Sequence, residues 1–354
     1  MKATNSRPVH LVGSVPLSDA TEVFTVVSEI LGHHVQRFPD GETGRRRNWI
    51  NFQYAMLARH PQFEFVGPAM DPDSVVTESH GQGADYVRPT LLQPRSDVRP
   101  ADLRFDSLGY AQAALESYAS FAALKQRQVV AADTRFLVAV PTPLAPIALF
   151  VAPDSLFDVL PAYAAALSRE VQAVVSAIPA EELAIQWDVA VEFGLWEGLF
   201  PPPPGNWKSQ LLDQLAALGA LIPPAVELGF HLCYGDRGHR HFIEPKDCAN
   251  LVEVANGIAE RVQREIQWVH LPVPRSRNDA AYFDPLRHLT LAPATTLYLG
   301  LVHQTDGLAG TQTRMAAAAR VVPDFGIAAE CGLGRRDPAT IRDFLKLHAA
   351  AADL

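Results

Sequence analysis

One histidine and two cysteines are the residues of this sequence best suited to chemistry. His231 and Cys233 stand two apart in the segment His-Leu-Cys-Tyr-Gly, and Cys331 follows far downstream in the segment Glu-Cys-Gly-Leu. Side chains two apart on a β-strand point to the same face. Imidazole and thiolate are zinc ligands, and catalytic zinc sites often use three protein ligands and leave a fourth position open. If both segments end parallel strands of one barrel, their side chains meet at one mouth, where a metal would activate a thiol or a water. The alternative is that the cysteines pack as small hydrophobic residues.

Composition narrows the class of protein. The chain has 354 residues, of which 48% are hydrophobic and 19% charged, enough for one large core. A net charge of -9 without a basic stripe argues against nucleic acid and anionic membrane surfaces as partners. Three cysteines are too few for a disulfide framework and fit a reducing compartment. The N-terminus lacks a signal-peptide apolar region, and no run reaches the ~18 apolar residues of a membrane span. We therefore expect a cytoplasmic protein that acts on a small molecule, and the sequence leaves open whether it forms a homo-oligomer.

Short apolar strands alternate with amphipathic helices along the chain. Strand character is found at 9–12, 35–38, 136–140, 183–188, 227–233, 266–271, 296–302 and 325–329. Helical character is found at about 18–31, 110–130, 155–177 and 338–351. Continuous apolar strands are typical of a parallel sheet covered by helices, and eight of them alternating with helices indicate a (β/α)8 barrel. The sequence therefore predicts one α/β domain over 1–354, a TIM barrel with an insertion around residues 60–105. A doubly wound sheet would need a glycine-rich phosphate turn after the first strand, and Gly13-Ser14-Val15-Pro16 is not one.

Polar residues concentrate where the predicted strands end. The active site of a (β/α)8 enzyme lies at the carboxyl ends of the strands. The polar side chains at those ends are Ser14, Asp188, His231, Cys233, His270, Arg275, His303, Gln304, Asp306, Glu330 and Cys331. Packing alone does not account for so many of them, although Asp188 could cap the next segment and His303 could be a hydrogen-bonded loop histidine. We take Asp188 and His303 as the candidate catalytic residues.

The set of one imidazole and two thiolates favours a particular metal. Thiolates are soft donors that prefer zinc to calcium or magnesium. Zinc binds only deprotonated thiols, and a substrate thiol that entered the open position would also lose its proton and become a nucleophile. Cys248 lies near a predicted helix start and is interpreted as structural.

With these residues the chain resembles the C-terminal catalytic barrel of cobalamin-independent methionine synthase, within the superfamily that includes uroporphyrinogen decarboxylase. The matching pieces are Val12-Gly13-Ser14, Ile185-Gln186-Trp187-Asp188, His231-Leu232-Cys233-Tyr234-Gly235 and Glu330-Cys331-Gly332-Leu333. Each piece is short, but their order and strand positions agree over nearly the whole chain. The resemblance implies zinc at His231, Cys233 and Cys331, with Asp188 holding a substrate amino group and Ser14 a substrate carboxylate. The implied reaction is alkyl transfer to a zinc-bound thiol.

The sequence departs from this family at the fourth zinc ligand. The family has a glutamate at the end of the sixth strand, where this chain reads His270-Leu271-Pro272-Val273-Pro274. His270, Glu244 or solvent are the candidates for that position, since imidazole and carboxylate both suit zinc.

Two further segments match nothing in methionine synthases and indicate a different substrate pocket. They are 38–45, with Asp40, Glu42 and Arg45, and 274–279, with Arg275 and Arg277. Their arginines suit a carboxylate or phosphate through bidentate hydrogen bonds.

Three functions are compatible with these residues. The first is a zinc-dependent methyl or alkyl transferase acting on a small thiol or a related small acidic substrate. The second is a metal-free decarboxylase or lyase of the same superfamily, with Asp40, Arg45 and Arg275 binding a carboxylated substrate. The third is a barrel that binds a small molecule without catalysis, which the missing glutamate favours.

Overall fold

Eight parallel strands, a separate two-stranded sheet and the surrounding helices build the protein, seen in a computed structural model that describes residues 6–77, 88–199, 201–235 and 240–354. The strands are β1 (Val9–His10), β2 (Arg37–Pro39), β3 (Phe63–Phe65), β4 (Leu92–Pro94), β5 (Arg135–Pro141), β6 (Leu183–Val189), β7 (Glu227–Leu232), β8 (Trp268–Pro272), β9 (Thr296–Val302) and β10 (Gly326–Ala329). The helices are α1 (Ala20–Ile30), α2 (Asn51–Ala58), α3 (Pro72–Val76), α4 (Tyr110–Gln126), α5 (Leu144–Phe150), α6 (Leu156–Ala177), α7 (Glu192–Trp196), α8 (Trp207–Ala220), α9 (Ala249–Arg261), α10 (Ala280–Phe283), α11 (Gly307–Ala319) and α12 (Ile341–Ala352).

The large sheet closes on itself. Its strand order is β1-β10-β9-β8-β7-β6-β5-β2, and every pair is parallel. Two isolated parallel bridges, Val9 with Val35 and Ser14 with Gly41, join the chain around β1 to the chain around β2 and bring the sheet edges together. The predicted (β/α)8 barrel is therefore confirmed. All eight carboxyl ends lie at one rim, which is the precondition for a shared site.

The insertion predicted around residues 60–105 adds a small separate sheet. Strands β3 and β4 pair antiparallel, with Phe63 opposite Pro94 and Phe65 opposite Leu92. Helix α3 lies between these two strands in the sequence and packs against α2. Residues 78–87 of the insertion lie outside the described part of the chain. The described portion places Val75 and Pro89 beside the barrel mouth, so the insertion forms one wall of the cavity found there.

Local signals explain how the helices begin. Asp19 is the N-cap of α1, and its side chain accepts a hydrogen bond from the Glu22 backbone N–H. The Asp19 bond satisfies a backbone donor that the first helical turn leaves free. The Glu22 carboxylate in turn accepts from the N–H and hydroxyl of Ser18, the residue before the N-cap. Helix α1 then buries Val23, Phe24 and neighbouring apolar residues against the barrel.

The barrel interior is partly polar. Trp268 on β8 lies inside, and its indole occupies the space that a side chain on Gly229 of β7 would need, because an added Cβ would lie 1.9 Å from the ring. Gln186 on β6 accepts hydrogen bonds from the Trp268 indole at 3.2 Å and joins His10 Nε2 at 2.7 Å. These groups form a buried layer directly beneath the rim, and they position the residues above them.

None of the described helices is both long enough and apolar enough to cross a membrane.

Candidate active site

A cavity of about 310 Å³ opens at the carboxyl ends of the strands. Its floor combines the segment after β1, the end of β6, the end of β7 and the segment after β10. The floor residues are Val12, Gly13, Ser14, Asp188, His231, Cys233, Cys331 and Gly332. Five residues that the sequence predicted for the site therefore lie around one cavity: Ser14, Asp188, His231, Cys233 and Cys331.

The imidazole and the two sulfurs converge at this floor. The Sγ atoms of Cys233 and Cys331 are 3.5 Å apart, and the Cys331 Sγ lies 3.8 Å from His231 Nε2. The three donor atoms all lie within 4.8 Å of one another. His231 and Cys233 are buried and Cys331 is partly exposed. The strand register explains the meeting, because His231 is paired with His270 on β8 and with Asp188 on β6, so it points into the barrel mouth.

A hydrogen-bond chain fixes which nitrogen of His231 faces the sulfurs. His270 Nε2 lies 3.0 Å from the Ala329 carbonyl, which only accepts, so this nitrogen carries the proton. Burial lowers the pKa of His270 to about 4, so its ring is neutral and its Nδ1 is an acceptor. His231 Nδ1 lies 2.6 Å from that atom and must donate to it. The lone pair of His231 is therefore on Nε2, toward Cys331.

This donor set fits zinc. Tetrahedral zinc with bonds of ~2.3 Å to sulfur and ~2.0 Å to nitrogen separates two sulfurs by roughly 3.8 Å and a sulfur from a nitrogen by roughly 3.5 Å. Two of the three observed separations, 3.5 and 3.8 Å, agree with these values within a few tenths of an ångström, and the third is at most 4.8 Å. A ligand histidine commonly donates its second ring N–H to a neighbouring acceptor, which fixes the tautomer, and here His270 is that acceptor.

Neither side chain predicted as the fourth ligand belongs to this group of donor atoms. Both ring nitrogens of His270 are already engaged, with His231 and with the Ala329 carbonyl, so His270 orients a ligand instead of offering one. Glu244 is largely exposed and lies 3.7 Å from His241. Within the described residues, only His231, Cys233 and Cys331 form a group of three or more candidate ligands. The position facing them opens into the cavity.

Two carboxyl groups share the same cavity. Burial raises the pKa of Asp188 to about 7, against hydrogen bonds from Gln186 and Trp49 that favour its charged form. Burial also raises the pKa of Glu42 to about 8, and the nearby negative charge of Asp188 adds to this shift. The Arg46 and Arg335 charges act in the opposite direction on Glu42. Two acids with raised pKa values at one cavity are typical of a functional site.

The loop after β2 holds Glu42 and Trp49 in strained backbone conformations. Their φ values are +50° and +53°, in the left-handed region that side-chain-bearing residues rarely adopt. Asp40 braces the loop: it accepts from the Glu42 N–H at 2.9 Å, from the Ser117 hydroxyl at 2.8 Å and from Arg46. Both strained residues line the cavity. Backbone strain at a cavity wall is typical of residues positioned for function.

Ser14 connects the floor to the segment after β10. Its hydroxyl accepts from the Gly334 N–H at 3.1 Å, and its carbonyl accepts from the Leu333 N–H at 2.7 Å. An added Cβ on Gly332 would lie 2.3 Å from the Ser14 hydroxyl oxygen. The glycine therefore allows the two segments to approach closely, which places Ser14 beside Cys331.

Besides His270, five predicted site residues lie away from the cavity lining. Asp40 supports the loop described above. Arg45 is exposed and pairs with Asp73 at 2.8 Å, and Arg275 donates to the Thr305 hydroxyl. Arg277 pairs with Asp279, and its guanidinium lies over the Tyr282 ring. His303 is buried, with Nε2 donating to the Val273 carbonyl and Nδ1 3.5 Å from Glu330. Since Asp40, Arg45 and Arg275 do not converge there, the metal-free alternative gains no support from the geometry.

Sequence reasoning missed three contributors to the site. Trp49 donates to Asp188, and Gln186 donates to the same carboxylate at 2.9 Å and to the Val12 carbonyl at 2.6 Å. Arg335 lines the cavity. The position of Gln186 two residues before Asp188 on one strand was an available signal, because the two must share a face. Trp49 and Arg335 lie in loops, where no periodic pattern predicts the direction of a side chain.

Comparison with known proteins agrees with this architecture. No protein-family model matches the chain, and no curated protein matches it. Among solved structures, it is similar to a B12-independent methionine synthase from Shewanella sp. W3-18-1 in complex with selenomethionine, with 13% identity, a TM-score of 0.58 and coverage of 98% of this chain and 97% of that one. It is also similar to a methyltransferase from Methanosarcina mazei, with 13% identity, a TM-score of 0.52 and coverage of 98% and 94%. The likeness extends over the whole barrel, and at this identity it establishes the fold.

Proposed function

We propose that the protein is a zinc-dependent methyl or alkyl transferase that acts on a small thiol. The observation that carries this proposal is the convergence of His231, Cys233 and Cys331 at the strand ends, with donor separations that suit zinc. The architectural likeness to a methionine synthase and to a methyltransferase supports it. Zinc bound there would lower the pKa of a substrate thiol and so supply a nucleophile at neutral pH.

Two groups of the chain orient the candidate metal ligands. His270 accepts a hydrogen bond from His231 Nδ1–H and keeps the Nε2 lone pair directed toward the sulfurs. The Gly235 N–H donates a hydrogen bond to Cys233 Sγ at 3.2 Å, which fixes the position of this sulfur. Both groups prepare the donor set before a metal arrives, which reduces the reorganisation that binding requires.

In this proposal Asp188, Glu42 and Ser14 hold the polar groups of the thiol substrate. Asp188 and Glu42 lie on the same cavity as the sulfurs, and a cationic amine between them would favour their charged forms. Their raised pKa values in the free protein would then fall on binding, with release of protons. Ser14, beside Cys331, offers a hydroxyl to a substrate carboxylate. A small amino thiol with a carboxylate satisfies all three groups.

Thiol methylation with a simple electrophile tests this function. Zinc-loaded protein is incubated at pH 7 with homocysteine and methyl iodide, and the methyl thioether is measured by mass spectrometry. A new sulfur–carbon bond replaces the carbon–iodine bond, iodide leaves with the electron pair, and the thiol proton goes to buffer. We expect faster thioether formation with the wild-type protein than with Cys331→Ala, and the wild-type rate for the control Cys248→Ala, whose thiol is buried elsewhere. Equal rates for wild type and Cys331→Ala would contradict the proposal.

A further inference from the structure

The outer part of the cavity is a wall of apolar side chains. Six of them define what we call the apolar wall: Trp49, Leu149, Phe150, Val191, Leu199 and Phe242. They come from four separate loops and helices above the floor, so their proximity is a product of the fold. Leu149, Leu199 and Phe242 are 41%, 47% and 37% exposed. Exposed large apolar side chains grouped at a cavity mouth indicate a surface that a ligand covers.

Charge is sparse on this wall. Among the described residues that line the cavity, Arg335 is the one cationic side chain, and its charge acts on Glu42. The other arginines predicted for the pocket point elsewhere, since Arg45 pairs with Asp73 and Arg277 with Asp279. A ligand body that carried phosphate or several carboxylates would lose its hydration there without gaining matching cations. The cavity volume of about 310 Å³ is also near the lower end of the range for small-molecule pockets.

From this wall we infer that one substrate of the proposed transfer carries an uncharged apolar body, of phenyl or branched-alkyl size, beside its reacting atom. The inference rests on the proposed function for the reaction and on the wall for the substrate class. The reacting atom lies at the His231 and Cys331 end of the cavity, and the apolar body lies against Leu149, Phe150 and Leu199. That body belongs either to the thiol acceptor or to the alkyl donor, and both have the same chemistry at the wall.

Binding calorimetry with matched probes tests the inference. The probes are 2-phenylethanethiol, 3-mercaptopropanoate and the thiol-free 2-phenylethanol. Burial of a phenyl group predicts that zinc-loaded protein binds 2-phenylethanethiol about 10- to 150-fold more tightly than 3-mercaptopropanoate. The double variant Leu149→Lys with Leu199→Lys should reduce this preference at least tenfold. Both side chains are largely exposed, so the barrel should tolerate the change. The control is Phe157→Lys, because Phe157 is 74% exposed and lies outside the cavity lining.

Competition between the probes shows whether the thiol acceptor or the alkyl donor carries the apolar body. If 2-phenylethanol and cysteamine bind together without competing, the body belongs to the donor. If 2-phenylethanol is displaced by 2-phenylethanethiol and by cysteamine, the body belongs to the acceptor. Either result supports the apolar wall as a subsite. Preference for 3-mercaptopropanoate, or an equal effect of Phe157→Lys and the double variant, would overturn the inference.

The same probes separate this inference from the proposed function. We expect 2-phenylethanol, which has no thiol, to bind the apolar wall of the metal-free protein as well. Protein that binds 2-phenylethanol but no zinc would remove the proposed transfer and retain the apolar wall as a subsite. Protein that binds zinc and methylates homocysteine, but binds neither phenyl probe, would overturn the substrate class and leave the transfer standing.

Discussion

Glu42 and Asp188 should make the stability of this protein fall as the pH rises through neutrality. Burial raises the pKa of Glu42 from 4.5 to about 8 and that of Asp188 from 3.8 to about 7. Between about pH 4 and pH 8 the native protein therefore holds protons that the unfolded chain has released. Where the native state binds more protons, the free energy of unfolding decreases with pH. The contribution of these two acids is fully present below pH 4 and is lost above pH 8.

The magnitude follows from the size of the shift. Each unit of pKa difference corresponds to about 1.4 kcal/mol, so a shift from 4.5 to about 8 sets an upper value of about 5 kcal/mol for Glu42. Glu42 is half-buried at a cavity that water can enter, which reduces the penalty of charging it. We therefore expect about 2 to 5 kcal/mol from Glu42 over this pH range.

Glu42→Gln isolates this effect because it keeps the shape of the side chain and removes the titrating group. At pH 5 the variant and wild type should have similar free energies of unfolding, since the wild-type carboxyl is neutral. At pH 8.5 the variant should be more stable by about 2 to 5 kcal/mol. Urea unfolding, followed by fluorescence and circular dichroism from pH 5 to 8.5, measures both. The control is Glu116→Gln, an exposed carboxyl on α4. Parallel curves for wild type and Glu42→Gln across this range would refute the reasoning.

Two further substitutions test the buried residues that support the site, His270 and Gly229. His270→Phe removes the acceptor of the hydrogen bond from His231 Nδ1–H, so zinc affinity should fall about 10- to 100-fold in a chelator competition. His303→Phe changes a buried histidine outside the cavity lining and should leave that affinity unchanged, and an equal loss in both variants would show a general packing effect. Gly229→Ala places a methyl group 1.9 Å from the Trp268 ring and should reduce stability by about 1 to 3 kcal/mol or more, measured as a lower Tm. Gly13→Ala meets its nearest neighbour at 3.4 Å and should be much milder, whereas a normal Tm for Gly229→Ala would contradict the packing described for the barrel interior.

Much of the barrel could be predicted from the sequence because its strands are continuous apolar runs. The predicted strand at 183–188 is β6 (Leu183–Val189), and the one at 296–302 coincides with β9 (Thr296–Val302). Helix α6 (Leu156–Ala177) begins one residue after the predicted start. The meeting of His231, Cys233 and Cys331 followed from the rule that parallel strands end at one rim.

Side-chain partners between strands and in loops could not be read in the same way. His270 has the residue type of a zinc ligand, but the β7–β8 register places its ring against His231 and the Ala329 carbonyl. Arg45 and Arg277 have the residue type of an anion site, and each pairs with an aspartate instead. The backbone of Trp49 has a positive φ, which directs its side chain to the cavity, and no sequence pattern predicts this conformation. These outcomes depend on tertiary geometry, which one sequence does not contain.

Zinc content of the purified chain tests the central claim most directly. After reconstitution with zinc and removal of excess metal, the wild-type protein and Cys248→Ser should each hold about one zinc per chain, with two sulfurs and one nitrogen in the X-ray absorption spectrum. Cys233→Ser and Cys331→Ser should each hold far less, because each removes one of the three donors at the floor. Less than about half an equivalent in the wild type, or unchanged zinc in Cys233→Ser, would contradict the account.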